Sequence, residues 1–301
     1  MAPPKPGPLP PLPTKVTIPK IKVTSKTSGT LQVPAAQGFF YAGIQAIWVW
    51  WSVELPLLRS YLEPFGMTPY DFGGNKGAVN INFFNAAALY GSGQPGNPGI
   101  SGFNETELNI VGYATKIEQN VPQGLSLSDY LTLGEQTKRV GNFRLWVACD
   151  DPIAVAFGRQ SYFENKFLTP YEYTVPSPNL PGVTTWNWTC YDSTRAQPTI
   201  YQGKVDLSGL TGIASNMSEW IDISYDDNTR RPVASRRNYF GLHQTYMVPP
   251  SSNAVAMQFG QSKHPMRHDM LRLIGTRRAA AIQHFASPTC IAEATPYYAD
   301  L

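Results

Sequence analysis

Short stretches of the chain alternate between apolar and polar residues, which is the period of a β-strand with one buried face. Alternation is clear over residues 79–83 and 143–147, and an apolar run over residues 38–51 indicates a buried strand. Further strand candidates with this pattern lie at residues 108–114, 183–190, 199–206, 220–225, 242–248 and 253–259. Many short strands separated by glycine, proline and asparagine turns favour antiparallel sheet. We therefore expect a mostly β (α+β) fold with a curved or closed antiparallel sheet or barrel.

Three segments show helical periodicity instead. Residues 55–65 place apolar side chains at helical spacing, with a proline in the first turn. A second helix is predicted from Pro152 to Arg159, because Asp151 supplies an N-cap and proline suits the first helical position. A third helix is predicted over about residues 265–285.

The first 37 residues differ from the rest of the chain in composition. Residues 1–13 are rich in proline and favour an extended polyproline conformation. We expect residues 1–37 to form an extended, basic N-terminal arm and residues 38–301 to form a single domain. No internal repeat and no sharp linker follows residue 37.

Charge and composition limit the possible partners. Five lysines and no acidic residue lie in the first 53 residues, and the remainder of the chain is close to neutral. This distribution lacks the basic surface that nucleic-acid binding requires. Charged residues make up only 15% of the chain, against about 25% in a typical soluble domain. We therefore expect some surface to be covered by copies of the same chain, as in a homo-oligomer.

The cysteines and the apolar segments indicate where the protein works. Cys149, Cys190 and Cys290 are few, odd in number and without a paired motif, which fits free thiols in a reducing compartment. The N-terminus lacks the apolar core of a signal peptide, and the longest apolar run is too short to span a bilayer. The sequence predicts a cytoplasmic protein without a membrane partner.

Two motifs match known sites only formally. The glycines of residues 91–96 fit a dinucleotide-binding pattern, but Pro95 and Pro98 prevent the helix that such a site needs. His264 and His268 are four residues apart, yet proline follows the first histidine where a zinc protease has glutamate. We predict no metal and no cofactor.

Lys166 is the strongest candidate for chemistry. It lies in a segment rich in aromatic residues, with Phe163, Phe167 and Tyr171 nearby in sequence. A lysine in such surroundings is either a surface cation with a buried stem or a nucleophilic amine held away from water. An exposed lysine has a pKa of about 10.4, so a lysine that acts as a nucleophile at neutral pH requires a lower pKa. Desolvation or a neighbouring cation such as Arg159 can supply that shift.

Three segments in order resemble the acetoacetate decarboxylase superfamily. Residues 151–159, D-P-I-A-V-A-F-G-R, followed by Lys166 resemble the family's helix and Schiff-base lysine loop. Residues 102–105, G-F-N-E, resemble the family's Gly-Tyr-x-Glu strand, and residues 55–64 resemble its first helix. The resemblance covers roughly residues 40–175 and implies the acetoacetate decarboxylase type of fold.

The resemblance also implies roles for individual residues. Lys166 would form a Schiff base with a carbonyl substrate, and Glu105 would transfer protons or position the substrate. Glu107 would replace Glu105 if the register of the strand slips, since both glutamates lie on one face by alternation. Acetoacetate decarboxylase is itself the standard example of a lysine activated by desolvation or by a neighbouring cation.

Four further residues are expected to line the substrate pocket. Tyr162 and Trp51 would shape its apolar walls, and Phe167 follows the reactive lysine directly. Glu293 is a lone acid in a weakly charged stretch and would enter the site from the C-terminal part of the chain.

The sequence departs from the decarboxylase pattern at two positions. Phe167 stands where the family's decarboxylases usually carry a second lysine, and Trp50, Trp51 and Ser52 stand where they carry an arginine. Without these cations, activation of Lys166 is expected to come mainly from desolvation.

The predicted function is a lyase that forms a Schiff base with a small keto acid, most simply a decarboxylase of the acetoacetate type. An aldolase, dehydratase or cyclase that uses the same lysine imine is the alternative. A non-catalytic protein that binds an apolar small molecule is the alternative outside enzymes.

Overall fold

The computed structural model describes residues 39–89, 100–177, 183–192, 198–215, 219–238, 243–287, 291–293 and 296–300. The predicted N-terminal arm lies outside these residues. Seventeen strands in the described residues form two sheets, and few helices accompany them. The predicted mostly β fold is therefore confirmed.

The larger sheet has 13 strands. Its long strands are β1 (Phe39–Glu54), β3 (Lys76–Leu89), β4 (Ile100–Ala114), β5 (Gly141–Cys149), β11 (Glu219–Asp226), β12 (Arg231–Asn238) and β15 (Ala281–Ser287). Its short strands are β2 (Met67–Pro69), β6 (Lys166–Leu168), β10 (Ile213–Ser215), β13 (His243–Met247), β16 (Ile291–Glu293) and β17 (Tyr297–Tyr298).

The large sheet is mixed and does not have the purely antiparallel pairing that the sequence led us to expect. Strand β3 pairs antiparallel with β1 and β4, and β4 pairs antiparallel with β5. Strand β5, however, pairs in parallel with β6 and with β11. Parallel pairs need a crossover connection, and the chain between β5 and β6 supplies one in the form of a helix. This crossover brings Lys166 to the sheet.

The smaller sheet has four antiparallel strands in the order β14, β9, β8 and β7. Their bounds are β7 (Tyr171–Thr174), β8 (Thr185–Tyr191), β9 (Thr199–Asp206) and β14 (Val255–Phe259). It packs against the large sheet through aromatic rings. The Phe83 ring of β3 stacks on Trp188 of β8, with ring centroids 5.2 Å apart, and also meets the edge of Trp186.

Four α-helices lie within the described residues: α1 (Leu55–Leu62), α2 (Leu127–Leu133), α3 (Pro152–Ser161) and α4 (Pro265–Leu273). Two 3₁₀ helices cover Glu63–Phe65 and Thr115–Asn120. None of the helices in these residues is long and apolar enough to cross a membrane. In α3, the Asp151 carboxylate accepts hydrogen bonds from the backbone amides of Ile153 and Ala154, as its predicted N-cap role requires.

The predicted third helix was too long. Helix α4 ends at Leu273, and Gly275 follows with a φ of 48°, a left-handed conformation that stops helices. Residues 281–287 form β15 instead, between β1 and β13. Helix α2 was not predicted; its N-cap is Ser126, whose hydroxyl accepts from the amide of Asp129.

The two faces of the large sheet differ in polarity. Because successive strand residues point to opposite faces, the register of β1, β3 and β4 assigns each side chain to a face. We call the face away from the smaller sheet the interior face. It carries Trp48, Trp50, Asn80, Asn82, Glu105 and Glu107. These side chains are buried although four of them are polar, so they need partners within the protein.

We predict that Gly203 in β9 tolerates no side chain. A Cβ at this position would overlap the ring of Trp188, which is itself buried and donates a hydrogen bond to the Tyr201 hydroxyl. Gly203→Ala is expected to reduce the free energy of unfolding by about 1–3 kcal/mol in urea denaturation. Gly102→Ala is the control, because its nearest atom would be the Ala86 carbonyl oxygen at 3.9 Å. Equal stability of the two variants would contradict the packing argument.

Candidate active site

Lys166 lies at the start of β6, beside the carboxyl end of β5. The residue is only 6% exposed. In the parallel register Lys166 is opposite Val147, and Val147 is paired with Glu107 of β4. The amine therefore reaches the row of acidic side chains on the interior face.

Glu105 and Glu164 both contact the amine of Lys166. The Nζ atom lies 2.5 Å from Oε2 of Glu105 and 3.1 Å from Oε2 of Glu164. Both carboxylates are buried, so water does not screen these ion pairs. The sequence pointed to Glu105 but not to Glu164, which stands two residues before the lysine.

The turn after α3 places Glu164. Phe163 has a φ of 56°, a left-handed backbone conformation that costs a residue with a side chain about 1–2 kcal/mol. The backbone amides of Tyr162 and Glu164 both donate to the Gly158 carbonyl, at 3.0 and 3.2 Å. A Cβ on Gly158 would overlap the Glu164 carboxylate, so glycine is needed at this close approach.

A buried ion-pair network continues from Glu164 into the interior. We use this name for Arg144, Arg237, Glu107, Asp222 and Glu164 together with Lys166 and Glu105. Arg144 binds Glu164 and also Asp222, the latter at 2.9 Å. Arg237 lies 2.9 Å from Asp222 and 3.0 Å from Glu107. Each of these charged groups is buried, and each is paired.

Burial and neighbouring charges shift the two glutamates of β4 in opposite directions. Burial raises the pKa of Glu105 to about 7, although the Lys166 ammonium acts against the increase. Burial also tends to raise the pKa of Glu107, but the guanidiniums of Arg237 and Arg144 outweigh it and lower that pKa to about 2. Glu105 can thus exchange a proton near neutral pH, whereas Glu107 stays ionised. The lowered pKa of Glu107 favours Glu105 over Glu107 for the predicted acid/base role.

The expected mode of lysine activation was wrong. Burial does tend to lower the pKa of Lys166, but the carboxylates of Glu105 and Glu164 outweigh it and raise the pKa. Arg159 is not the activating cation either, because its Nε donates to the backbone carbonyl of Lys166. The resting amine is therefore an ammonium, and it must hand a proton to a neighbour before it can attack a carbonyl.

A narrow pocket lies beside Lys166 and Glu164 and has room for about one water molecule. Its walls are mostly aromatic or small, and they consist of Tyr41, Phe103, Ala154, Phe157, Gly158 and Tyr162. Three of the wall residues come from α3, and Tyr41 and Phe103 come from β1 and β4. In this form the pocket is too small for a substrate, so its walls must move apart before a small molecule can enter.

The structure brings together Lys166, Glu105 and Tyr162. It places Trp51 elsewhere, because Trp51 is an odd number of residues from Trp48 and Trp50 and so points to the opposite face of β1. Phe167 is likewise excluded from the pocket, since it follows Lys166 in a strand and stacks on His264, with ring centroids 4.1 Å apart.

Two further predicted residues have other positions. Glu107 belongs to the ion-pair network and does not line the pocket. Glu293 lies in β16, opposite Arg237 of β12, but its side chain is outside the described part of the structure.

Sequence reasoning missed Glu164, Tyr41, Phe103 and Phe157. Only Glu164 had a signal, as an acid in the aromatic segment next to Lys166. The other three are apolar residues that strand or helix patterns assign to the core, and their role depends on how β1, β4 and α3 meet. Within the described residues, no three histidine, cysteine or acidic side chains are grouped as a metal site.

Comparisons with known proteins identify structures of similar fold. No family model matches the chain, and no curated protein matches it. The enduracididine biosynthesis enzyme MppR, complexed with pyruvate, has a similar structure with a TM-score of 0.58 at 13% identity. The similarity covers 90% of this chain and 93% of that enzyme.

An acetoacetate decarboxylase and an acetoacetate decarboxylase-like enzyme have similar structures as well. One acetoacetate decarboxylase gives a TM-score of 0.56 at 11% identity, covering 88% of this chain and 90% of its own. An acetoacetate decarboxylase-like enzyme from Sphingomonas wittichii RW1 gives 0.53 at 10% identity, covering 93% and 99%. The chain therefore has the fold of acetoacetate decarboxylase-like enzymes, and the resemblance seen in the sequence is confirmed at the level of the fold.

We predict that the ion-pair network is essential for stability. Arg237→Leu leaves Glu107 and Asp222 without one of their cations, so it should reduce the free energy of unfolding by about 3–5 kcal/mol. Arg277→Leu is the matched control, because Arg277 contacts Glu54 at the same 3.0 Å but at the surface. In urea denaturation, the free energy of unfolding of that variant should fall by at most about 1 kcal/mol. An equal loss of unfolding free energy in both variants would contradict the prediction that the buried ion pairs matter more than the exposed one.

Proposed function

We propose that this protein is a Schiff-base-forming lyase in which Lys166 attacks the carbonyl carbon of a small substrate. One observation carries the proposal: a buried lysine amine lies 2.5 Å from a glutamate that titrates near neutral pH, at the base of an aromatic pocket. A structural ion pair alone does not require an adjoining pocket. The combination of nucleophile, proton acceptor and apolar cavity is the arrangement that imine chemistry needs.

Glu105 performs the proton transfers. In its ionised form it accepts a proton from the Lys166 ammonium, and this transfer also relieves the repulsion between Glu105 and Glu164. The neutral amine then adds to the carbonyl carbon and gives a carbinolamine. Protonated Glu105 donates to the carbinolamine hydroxyl, water leaves, and a protonated imine remains on Lys166. The tight burial of the pair makes the two groups titrate together.

The protonated imine withdraws electrons from the adjacent carbon. Several reactions can follow from this intermediate, and the sequence does not choose between them. A keto acid of the acetoacetate type would lose CO2, as in the predicted decarboxylase. An aldolase, dehydratase or cyclase would cleave or form a C–C bond or lose water from the same intermediate. MppR, which shares the fold, has been captured with the condensation product of pyruvate and imidazole 4-carboxaldehyde. All of these routes share the Lys166 imine.

We predict that borohydride traps a carbonyl compound on Lys166. Wild-type protein incubated with a panel of small ketones, aldehydes and keto acids should gain a reduced adduct, and peptide mass mapping should locate it at Lys166. Lys166→Ala should show no adduct. Lys204→Ala removes an exposed lysine of β9 and should react like the wild type.

The same experiment tests the non-catalytic alternative. Absence of any adduct on Lys166 across the panel would remove the imine proposal. If Lys166→Ala then bound a member of the panel as tightly as the wild type, the protein would be a binding module.

We predict that the rate of adduct formation rises with pH up to about 7 and then levels off. Below the Glu105 pKa of about 7 that carboxyl is protonated and cannot accept the lysine proton; above it, the ionised form can. Glu105→Gln should slow trapping by about 10²-fold or more and remove the inflection. An inflection near 7 that persists in Glu105→Gln would assign the titration to another group.

A further inference from the structure

The charged residues around the pocket are unequal in number. Three cations, Lys166, Arg144 and Arg237, face the four carboxylates of Glu105, Glu164, Glu107 and Asp222. All seven groups are buried. With every group ionised, the cluster carries one more negative than positive charge.

No cation in the described part of the chain is placed to receive a carboxylate substrate. Lys166 is the one basic residue among the described side chains that line the pocket, and it already contacts two carboxylates. Arg144 and Arg237 do not line the pocket, and they are held by Glu164, Asp222 and Glu107. The acidic residue that lines the pocket is Glu164, which would repel a carboxylate.

The net charge of the buried cluster after imine formation depends on the charge of the substrate. Reaction of the Lys166 ammonium with an uncharged ketone or aldehyde gives a protonated imine and water, so the cluster keeps its charge. A keto acid brings an additional carboxylate into a buried site that already has an excess negative charge. Like charges in a poorly solvated site repel strongly, and neither Tyr41, Phe103 nor Tyr162 can neutralise the new one.

We infer that the pocket selects a small, uncharged aldehyde or ketone with an apolar substituent over a keto acid. This inference rests on the proposed imine at Lys166 and adds the class of substrate. The apolar substituent lies against the rings of Tyr41, Phe103 and Tyr162, and the carbonyl faces Lys166 and Glu105. Such a substrate has no carboxylate to lose, so the chemistry after the imine is C–C bond formation or cleavage, or loss of water.

Two substrates of equal size test the charge preference. Pyruvate and 3-methylbutan-2-one have the same number of non-hydrogen atoms, and the isopropyl group of the ketone replaces the carboxylate. Each compound is trapped with borohydride on the 301-residue chain. Each rate is divided by the rate of the same compound with free Nα-acetyl-lysine, which removes the difference in intrinsic reactivity of the two carbonyls. The normalised rate at Lys166 should be at least about tenfold higher for the ketone, the ratio that corresponds to one pKa unit of free energy.

Glu164→Gln tests the source of the preference. Removing this negative charge should reduce the preference for the ketone by about tenfold. Glu63→Gln makes the same chemical change at an exposed position and should leave the preference unchanged. The wild-type comparison needs no variant, so it remains decisive even if Glu164→Gln fails to fold.

The outcomes separate this inference from the proposed function. If neither of these compounds nor any member of the wider panel forms an adduct at Lys166, the proposed imine itself is refuted. If both react and pyruvate equals or exceeds the ketone after normalisation, the inferred substrate class is overturned while the imine stands. An unchanged preference in folded Glu164→Gln would equally overturn the electrostatic cause.

Discussion

The requirement that buried charges be paired organises the interior of this protein. The large sheet places polar and charged side chains on its interior face, where water cannot stabilise them. Asp222 of β11 joins Arg144 of β5 to Arg237 of β12, so the ion pairs connect strands that are distant in sequence. Lys166 completes this arrangement as the cation for Glu105 and Glu164. The proposed nucleophile is thus also a structural counter-ion.

Much of the fold could be predicted from local patterns, because alternation and helix caps are local properties. The strands near residues 199–206 and 253–259 and the cap of α3 were found in this way. Pairing between strands is not local, which explains why the parallel partners of β5 were missed. The excessive length of the third helix has a similar cause, since β15 is a strand only because β1 and β13 flank it.

The candidate site was predictable only in part. Spacing and resemblance pointed to Lys166 and Glu105, which the structure places in contact. Trp51 and Phe167 were assigned to the pocket from proximity in sequence, and the alternation of strand side chains puts both on other faces. Glu105 and Glu164 together raise the pKa of Lys166, and the contribution of Glu164 could not be foreseen, because it reaches the amine through a left-handed turn at Phe163 that sequence patterns do not reveal.

Helix α3 has two connections to the site, and together they have a mechanical consequence. It supplies Ala154, Phe157 and Gly158 to the wall of the pocket, and its Arg159 holds the backbone carbonyl of Lys166. The pocket is narrow, so admitting a substrate by outward movement of α3 would also pull on the chain that carries the amine. Such a movement would couple access to the cavity with the position of the Lys166 amine, because α3 contacts both.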